Sequence, residues 1–494
     1  MPRPVPDQPS APPVSVHHDT VIVGAGFGGL GLAIRLRQAG QHDFVVLEQA
    51  QAVGGTWRDN TYPGCACDIP AVLYSFSFAR DWPWSRRYPS QPEIRAYLEH
   101  CVDRFGIRPH LRLGTGLAAA RFDAAAGLWR LETSAGPMTA RALVLGLGAL
   151  HRPALPGIPG REDFAGHAFH TASWDHTADP AGKRVAVIGT GASAIQIVPA
   201  LAGSAAQVTL FQRTPAWVLP KHDPRTGPLR HWVSRNAGWL DWLARAWTFW
   251  SHESRAVAFV TVPRLLGAAE RRARSFAKGT ITDDALRARL TPDYAIGCKH
   301  ILLSNDFLPT MARPDVSLVT EPIRRIVADG VETADGALHK ADMLVFATGF
   351  RTTDPFGAVT VVGADGQRLD QAAASWMGVA VPGFPNLFLL GGPNTGLGHN
   401  SIVFMLEAQI GRILRELRKG GVHALRPEAA RGFGAWLDRR MQRTVWLSGC
   451  RSWYLDATGR NTTLWPGYCV GYWLRTRFGG RGVFTAAPSA ERRR

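Results

Sequence analysis

Apolar residues along this chain come in short runs that stop at glycine. Val21, Ile22 and Val23 predict a buried strand, which ends at Gly24-x-Gly26-x-x-Gly29. Leu30, Leu32, Ala33, Ile34 and Leu36 follow at helical spacing, and Phe44 to Leu47 predicts a second strand closing at Glu48. The pattern then returns. Arg184 to Ile188 predicts a strand, the turn reads Gly189-Thr190-Gly191-Ala192-Ser193-Ala194, and Val208 to Phe211 leads into Gln212-Arg213-Thr214. Two strand–turn–helix–strand units predict an α/β chain with two Rossmann-like dinucleotide-binding domains.

The residue closing each unit changes what its turn can hold. Gly24 permits the tight turn, Gly26 lets backbone approach a pyrophosphate, and Gly29 lets helix pack on strand. The helix N-terminus offers N–H groups to phosphate. Glu48, 19 residues past Gly29, can accept hydrogen bonds from a ribose diol, which points to FAD. Arg213 stands at the same distance past Ala194 and can pair with a 2′-phosphate, which points to NADPH. Two such sites in one chain imply hydride transfer from nicotinamide to flavin.

Residues 225–290 have another texture. Trp232, Trp239, Trp242, Trp247 and Trp250 fall near helical spacing, ahead of an Arg-rich stretch at 264–278. We read a helical insert whose Trp residues form a core-packing face; a membrane-surface helix or a substrate lid is the alternative.

Composition narrows the classes. A chain of 494 residues is expected to form two or three domains. The net charge of +17 raises nucleic-acid binding, but the Arg residues are scattered apart from Arg271-Arg272 and Arg492–Arg494, and no nucleic-acid motif appears. No apolar run reaches the ~18 residues of a membrane span. Cys65 and Cys67 stand as C-x-C, and with Cys101, Cys298, Cys450 and Cys469 they read as free thiols in a reducing cytoplasm. Residues 1–18 read as a disordered leader.

Between the glycine turns lies Phe164-x-Gly166-x-x-x-His170-x-x-x-Trp174-Asp175. Taken alone, His170 and Trp174 could be a packed helical pair. In its place before the second turn, the motif resembles the fingerprint of type I Baeyer–Villiger monooxygenases, in the class B flavoprotein monooxygenase family. Gly54-Gly55-Thr56-Trp57, the Tyr62-to-Asp68 stretch, the Ala347-Thr348-Gly349 linker, Gly391 to Asn400, and Ser452 to Gly467 are similar to further segments of that family. The resemblance implies FAD contacts at Gly55, Thr56, Trp57, Asp68, Tyr74 and Asn394. It implies NADPH contacts along 189–194 and at Gln212, Arg213, Thr348 and Gly349. It implies catalytic roles for Asp68, Lys299, His300, His170 and Trp174.

The implied activity uses NADPH and O2 to place oxygen next to a ketone carbonyl through a C4a-peroxyflavin, giving an ester or lactone. The alternative is oxygenation of a sulfide or amine. The implied organisation is an FAD-binding domain at 19–150 and 380–494 and an NADPH-binding domain at 151–379, with the insert at 225–290 inside it. Two departures stand out. The first linker copy reads Leu145-Gly146-Leu147-Gly148, and His300 stands after Lys299 where the family usually has Arg. An Arg is always charged, whereas a His is not. His300 can do the usual job, another cation such as Lys299 can fill in, or the chemistry can have drifted.

Overall fold

The computed structural model describes residues 16–486 apart from Pro355, Ala358, Ala373, Arg451 and Arg481. Most of the expected leader and the Arg492–Arg494 cluster lie outside the described residues. The chain opens with β1 (Val16–Val23), α1 (Phe27–Gln38) and β2 (Phe44–Glu48). β1 starts earlier than the expected leader boundary. Val16, His17 and His18 already pair with Met138, Thr139 and Ala140, so a partner strand far along the chain orders polar residues that have no apolar signal.

β3 (Leu111–Leu113), β4 (Leu117–Asp123), β5 (Leu128–Thr133) and β6 (Gly136–Leu145) complete most of the first sheet. β1 lies between β2 and β6, parallel to both, with Val23 beside Leu47 and Leu145. Strand Leu387–Leu389 runs parallel to the far end of β6, and strand Thr360–Val362 adds to β4. The chain is therefore back in the first sheet at Thr360, ahead of the return expected at 380. The apolar face of α1 is covered by helix Ile402–Leu417. Gly31 permits that approach, since a Cβ there would meet Ile410 at 3.0 Å.

The second sheet is wholly parallel. It holds β7 (His167–His170), β8 (Arg184–Ile188) and β9 (Gln207–Phe211), with strands Val316–Val319 and Met343–Phe346. After their first residues β8 and β9 are buried throughout, as short apolar runs in a covered parallel sheet should be. All five strands fall between β6 and Thr360, so in sequence this sheet interrupts the first. The connections touch: Pro153 and Phe350 form an antiparallel bridge, Ala154 N–H donates to the Gly349 carbonyl at 2.9 Å, and Thr348 Oγ1 donates to the Ala154 carbonyl at 2.7 Å.

Residues 228–290 are helical, with Gly238–Glu253 and Gly267–Thr280 the longest elements. The expected core-packing face is not formed. Trp232, Trp239, Trp242, Trp247 and Trp250 are 56–79% exposed. Polar residues turn inward instead and find specific partners. Asp241 pairs with Arg230 at 3.0 Å, Arg245 donates to the Val72 and Ser75 carbonyls, and Glu253 accepts from Val470 N–H at 3.0 Å. Periodicity tells which residues share a face, not which face looks inward once the polar one is fully paired.

One cysteine pair also departs from the expected free thiols. Cys298 and Cys450 form a disulfide across 152 residues of sequence, tying the 297–300 turn to the C-terminal segment. Sequence spacing carries no sign of such a pair, because only the fold brings the two segments together. Cys65, Cys67, Cys101 and Cys469 are free and buried.

Candidate functional site

Each glycine turn shows two kinds of glycine. A Cβ on Gly24 would meet the Gly146 carbonyl oxygen at 2.6 Å, and one on Gly29 would run into the Gly24 carbonyl. Gly189 is blocked in the same way by the Ala347 carbonyl. These glycines are required by the chain itself, and Gly24 and Gly189 also take φ of +101° and +116°. Gly26 and Gly191 are different. A Cβ on Gly26 would have only the Gly55 Cα near it, at 3.8 Å, and one on Gly191 would meet nothing within 4 Å. Open space therefore stands where helices Phe27–Gln38 and Ala194–Leu201 begin, and it fits a pyrophosphate at each.

Glu48 is buried at the end of β2. Its carboxylate accepts from Ala25 N–H at 2.9 Å and Ala50 N–H at 3.0 Å and pairs with Arg58 at 2.8 Å. Arg58, which sequence reading missed, holds this acid in place. Gly55 takes φ of +53° and starts the short helix Thr56–Asp59. Trp57 is buried there, its Nε1 donating to Tyr74 Oη at 3.1 Å with the rings edge to face. Asn394 has φ of +57°, and its Nδ2 donates to the Asn461 and Leu464 carbonyls. Its side chain thus fastens the 461–465 segment and leaves the backbone of the turn as the part able to face a flavin.

At the second unit, Thr190 Oγ1 donates to the Thr214 carbonyl at 2.7 Å, and Ala194 is buried in the helix start that follows Ala192 and Ser193. Gln212 is buried and donates to the Arg289 carbonyl at 2.7 Å. Arg213 is exposed. Lys299 stands over the Tyr294 ring at 4.6 Å. Burial and the nearby positive charge of Arg213 together lower its pKa. Among the described residues neither Arg213 nor Lys299 forms an ion pair. Two unpaired cations in one place suit a phosphate. Lys299 is near enough to Arg213 to feel its charge.

His170 and Trp174 do not share a helix. His170 ends β7, and Trp174 follows the turn Thr171–Ser173, packed edge to face on Phe169. His170 Nδ1 accepts from Ala172 N–H at 3.1 Å, and its ring lies edge to face against Phe350 beside the Gly349 linker. Burial lowers its pKa, which keeps the imidazole neutral. Both residues thus sit at the connection between the two sheets.

The Asp68–His300 pair joins segments 232 residues apart. His300 Nε2 stands 2.7 Å from Asp68 Oδ2, each side chain about one third exposed at 33% and 35%. Burial opposes charge on the imidazole, but the hydrogen bond and negative charge of Asp68 outweigh it and raise the His300 pKa. Burial likewise opposes charge on Asp68, and the His300 bond, with Lys221 adding a smaller pull, nonetheless lowers the Asp68 pKa. The pair is held from both sides. Gln196 accepts from Tyr62 Oη at 3.0 Å and donates to the Ala66 carbonyl at 3.0 Å, anchoring the loop that carries Asp68. The Cys298–Cys450 bond anchors the turn that carries His300. Gln196 and Lys221 carried no motif that would have singled them out.

A family profile described as pyridine nucleotide-disulphide oxidoreductase matches residues 21–236. The chain is 46% identical over 475 residues to a Baeyer-Villiger monooxygenase of Streptomyces coelicolor, covering 94% of this chain and 92% of that one. It is 42% identical to a Baeyer-Villiger monooxygenase of Pseudomonas aeruginosa, covering 94% and 91%. Its fold is similar to a closed crystal structure of cyclohexanone monooxygenase, with a TM-score of 0.87, 27% identity and coverage of 96% and 100%.

Proposed function

This chain belongs to the Baeyer–Villiger monooxygenases and is a flavin- and NADPH-dependent monooxygenase; on that premise we propose that Asp68 and His300 set the charge beside the reacting oxygen. The substrate class is a small ketone, converted with O2 to an ester or lactone. The first glycine unit holds FAD and the second holds NADPH. FAD, reduced by NADPH, supplies the activation of O2.

The chain's own residues do the rest. Gly26 and Gly191 leave room for the two pyrophosphates, and Glu48 faces the FAD ribose. Arg213 and Lys299 face the 2′-phosphate of NADPH and give the preference over NADH. Asp68 keeps a proton on His300 Nε2 or shares it across the 2.7 Å contact. An imidazolium there supplies the positive charge that a guanidinium supplies by default. It favours a deprotonated, nucleophilic oxygen able to attack a carbonyl carbon. The 2.7 Å contact between Asp68 and His300 carries this reading, because it sets a carboxylate against the imidazole and so raises its pKa. A carboxylate partner restores a charge that a free imidazole would lose near neutral pH.

The test is product analysis with purified, flavin-loaded enzyme across ketones and sulfides, alongside NADPH consumption. Esters or lactones in step with NADPH support the reading. Sulfoxides formed with no ester from any ketone would replace it with heteroatom oxygenation.

A further inference from the structure

Helix Gly238–Glu253 is turned inside out for a water-soluble surface. Trp239, Trp242, Leu243, Trp247 and Trp250 recur every three or four residues and form one stripe that points to solvent. Asp241 and His252 on the other side are buried, and so is Glu253 at the helix's last residue. Trp232, on the preceding helix Pro228–Asn236, is exposed as well. At roughly 250 Å² per indole, the five Trp expose on the order of 800 Å² of aromatic surface, against roughly 300–600 Å² for the largest patch on a typical monomer.

The stripe does not end with that helix. Helix Cys469–Phe478 presents Trp473, Leu474 and Phe478, exposed by 40%, 45% and 65%. Trp242, Trp250 and Trp473 line one cavity of about 510 Å³ between the two helices, together with Arg35, Arg245 and Arg477. Arg475 stands on the same helix, over Trp436 at 4.3 Å. Glu407 lines the cavity too and Arg245 is turned inward, but Arg35, Arg475 and Arg477 are exposed beside the apolar surface, on a chain of net charge +17.

We propose that this face docks on the surface of an anionic phospholipid bilayer. Tryptophan suits the headgroup level, where an amphipathic ring meets both water and acyl chain. Arginine at the rim suits anionic headgroups. No helix among the described residues is long and apolar enough to cross a membrane, so the contact is peripheral. The polar inner side of the helix is occupied by its own bonds to residues 72–75 and 470, so docking needs no refolding.

The test is co-sedimentation of the flavin-loaded full chain with two vesicle types, phosphatidylcholine alone and phosphatidylcholine with one third phosphatidylglycerol. The parent should pellet with the second and release as salt rises. The variant carrying W239S, W242S, W247S and W250S should bind at least about tenfold less, and W247S alone should bind less than the parent. Flavin content and circular dichroism should be unchanged in both, since these side chains are exposed. A shift of Trp emission to shorter wavelength on vesicle addition should vanish in the fourfold variant. A parent that stays in the supernatant overturns the proposal, and so does a fourfold variant that pellets as the parent does. A concentration-dependent dimer of the parent, abolished by the same substitutions, would assign the face to a second copy of the chain instead.

Discussion

His300 Nε2 and Asp68 Oδ2 lie 2.7 Å apart, and this contact favours the charged form of the imidazole. Asp68 raises the His300 pKa against the opposing effect of burial. Ester formed per NADPH should therefore hold above the usual His pKa of about 6.5, then fall as pH rises through the raised value, with hydrogen peroxide appearing instead. His300→Arg should remove that dependence. His300→Ala should lose ester formation while NADPH still bleaches the flavin. Ester formation by His300→Ala equal to the parent's would remove His300 from this role.

Asp68→Asn should move the same profile to lower pH, because the imidazole loses the carboxylate that raises its pKa. The sign is fixed in two directions. The raised His300 pKa contributes stability that is lost as pH rises through it, and the lowered Asp68 pKa contributes stability that is lost as pH falls through it. Thermal stability of the parent should be less sensitive to pH between those limits than outside them. A coupling profile in Asp68→Asn that overlays the parent's would separate the two residues functionally.

Gly26→Val should yield colourless protein that still folds. Its Cβ meets no protein atom closer than 3.8 Å, so the clash would be with bound pyrophosphate. Gly29→Val, by contrast, should fail to fold, because its Cβ runs into the Gly24 carbonyl. Full flavin content in Gly26→Val would contradict the assignment.

Arg213→Ala and Lys299→Ala should each raise the KM for NADPH and leave that for NADH nearly unchanged. A charge-assisted contact to phosphate is worth about 1.5–3 kcal/mol, or roughly ten- to a hundredfold in affinity. Equal use of NADH and NADPH by the parent would defeat the idea.

Denatured, unreduced protein should titrate four thiols of its six cysteines, and reduction should bring the count to six. Cys450→Ser should cost about 2–4 kcal/mol of stability, read as a lower Tm. Six titratable thiols before reduction would show that Cys298 and Cys450 are not joined.

Local order was legible and remote partnership was not. β2 closes at Glu48 and β8 spans Arg184–Ile188 as read, because a short apolar run bounded by glycine fixes a buried strand by itself. The sequence order of glycine turns, linkers and later motifs likewise implied that one fold interrupts the other. What was not legible depended on partners far along the chain. Val16–His18 are ordered by β6, Gln212 is drawn inward by Arg289, and Asn394 is engaged by residues 461–464. The Trp stripe was assigned the wrong side because Asp241, Arg245 and Glu253 are buried by pairs that no local window contains. Gln196 escaped notice altogether, since a single glutamine in an apolar helix carries no signal until Tyr62 and Ala66 stand against it.

The two connections between the sheets run side by side, joined at Pro153 and Phe350 and at Ala154 and Gly349. Both crossings therefore meet at one pivot, while the Cys298–Cys450 disulfide makes a third, covalent tie between the 297–300 turn and the C-terminal segment. Away from that pivot, the cleft is bridged by Gln196 to Tyr62 and Ala66, which grip the loop bearing Asp68. That grip holds Asp68 against His300, and with it the carboxylate that raises the His300 pKa.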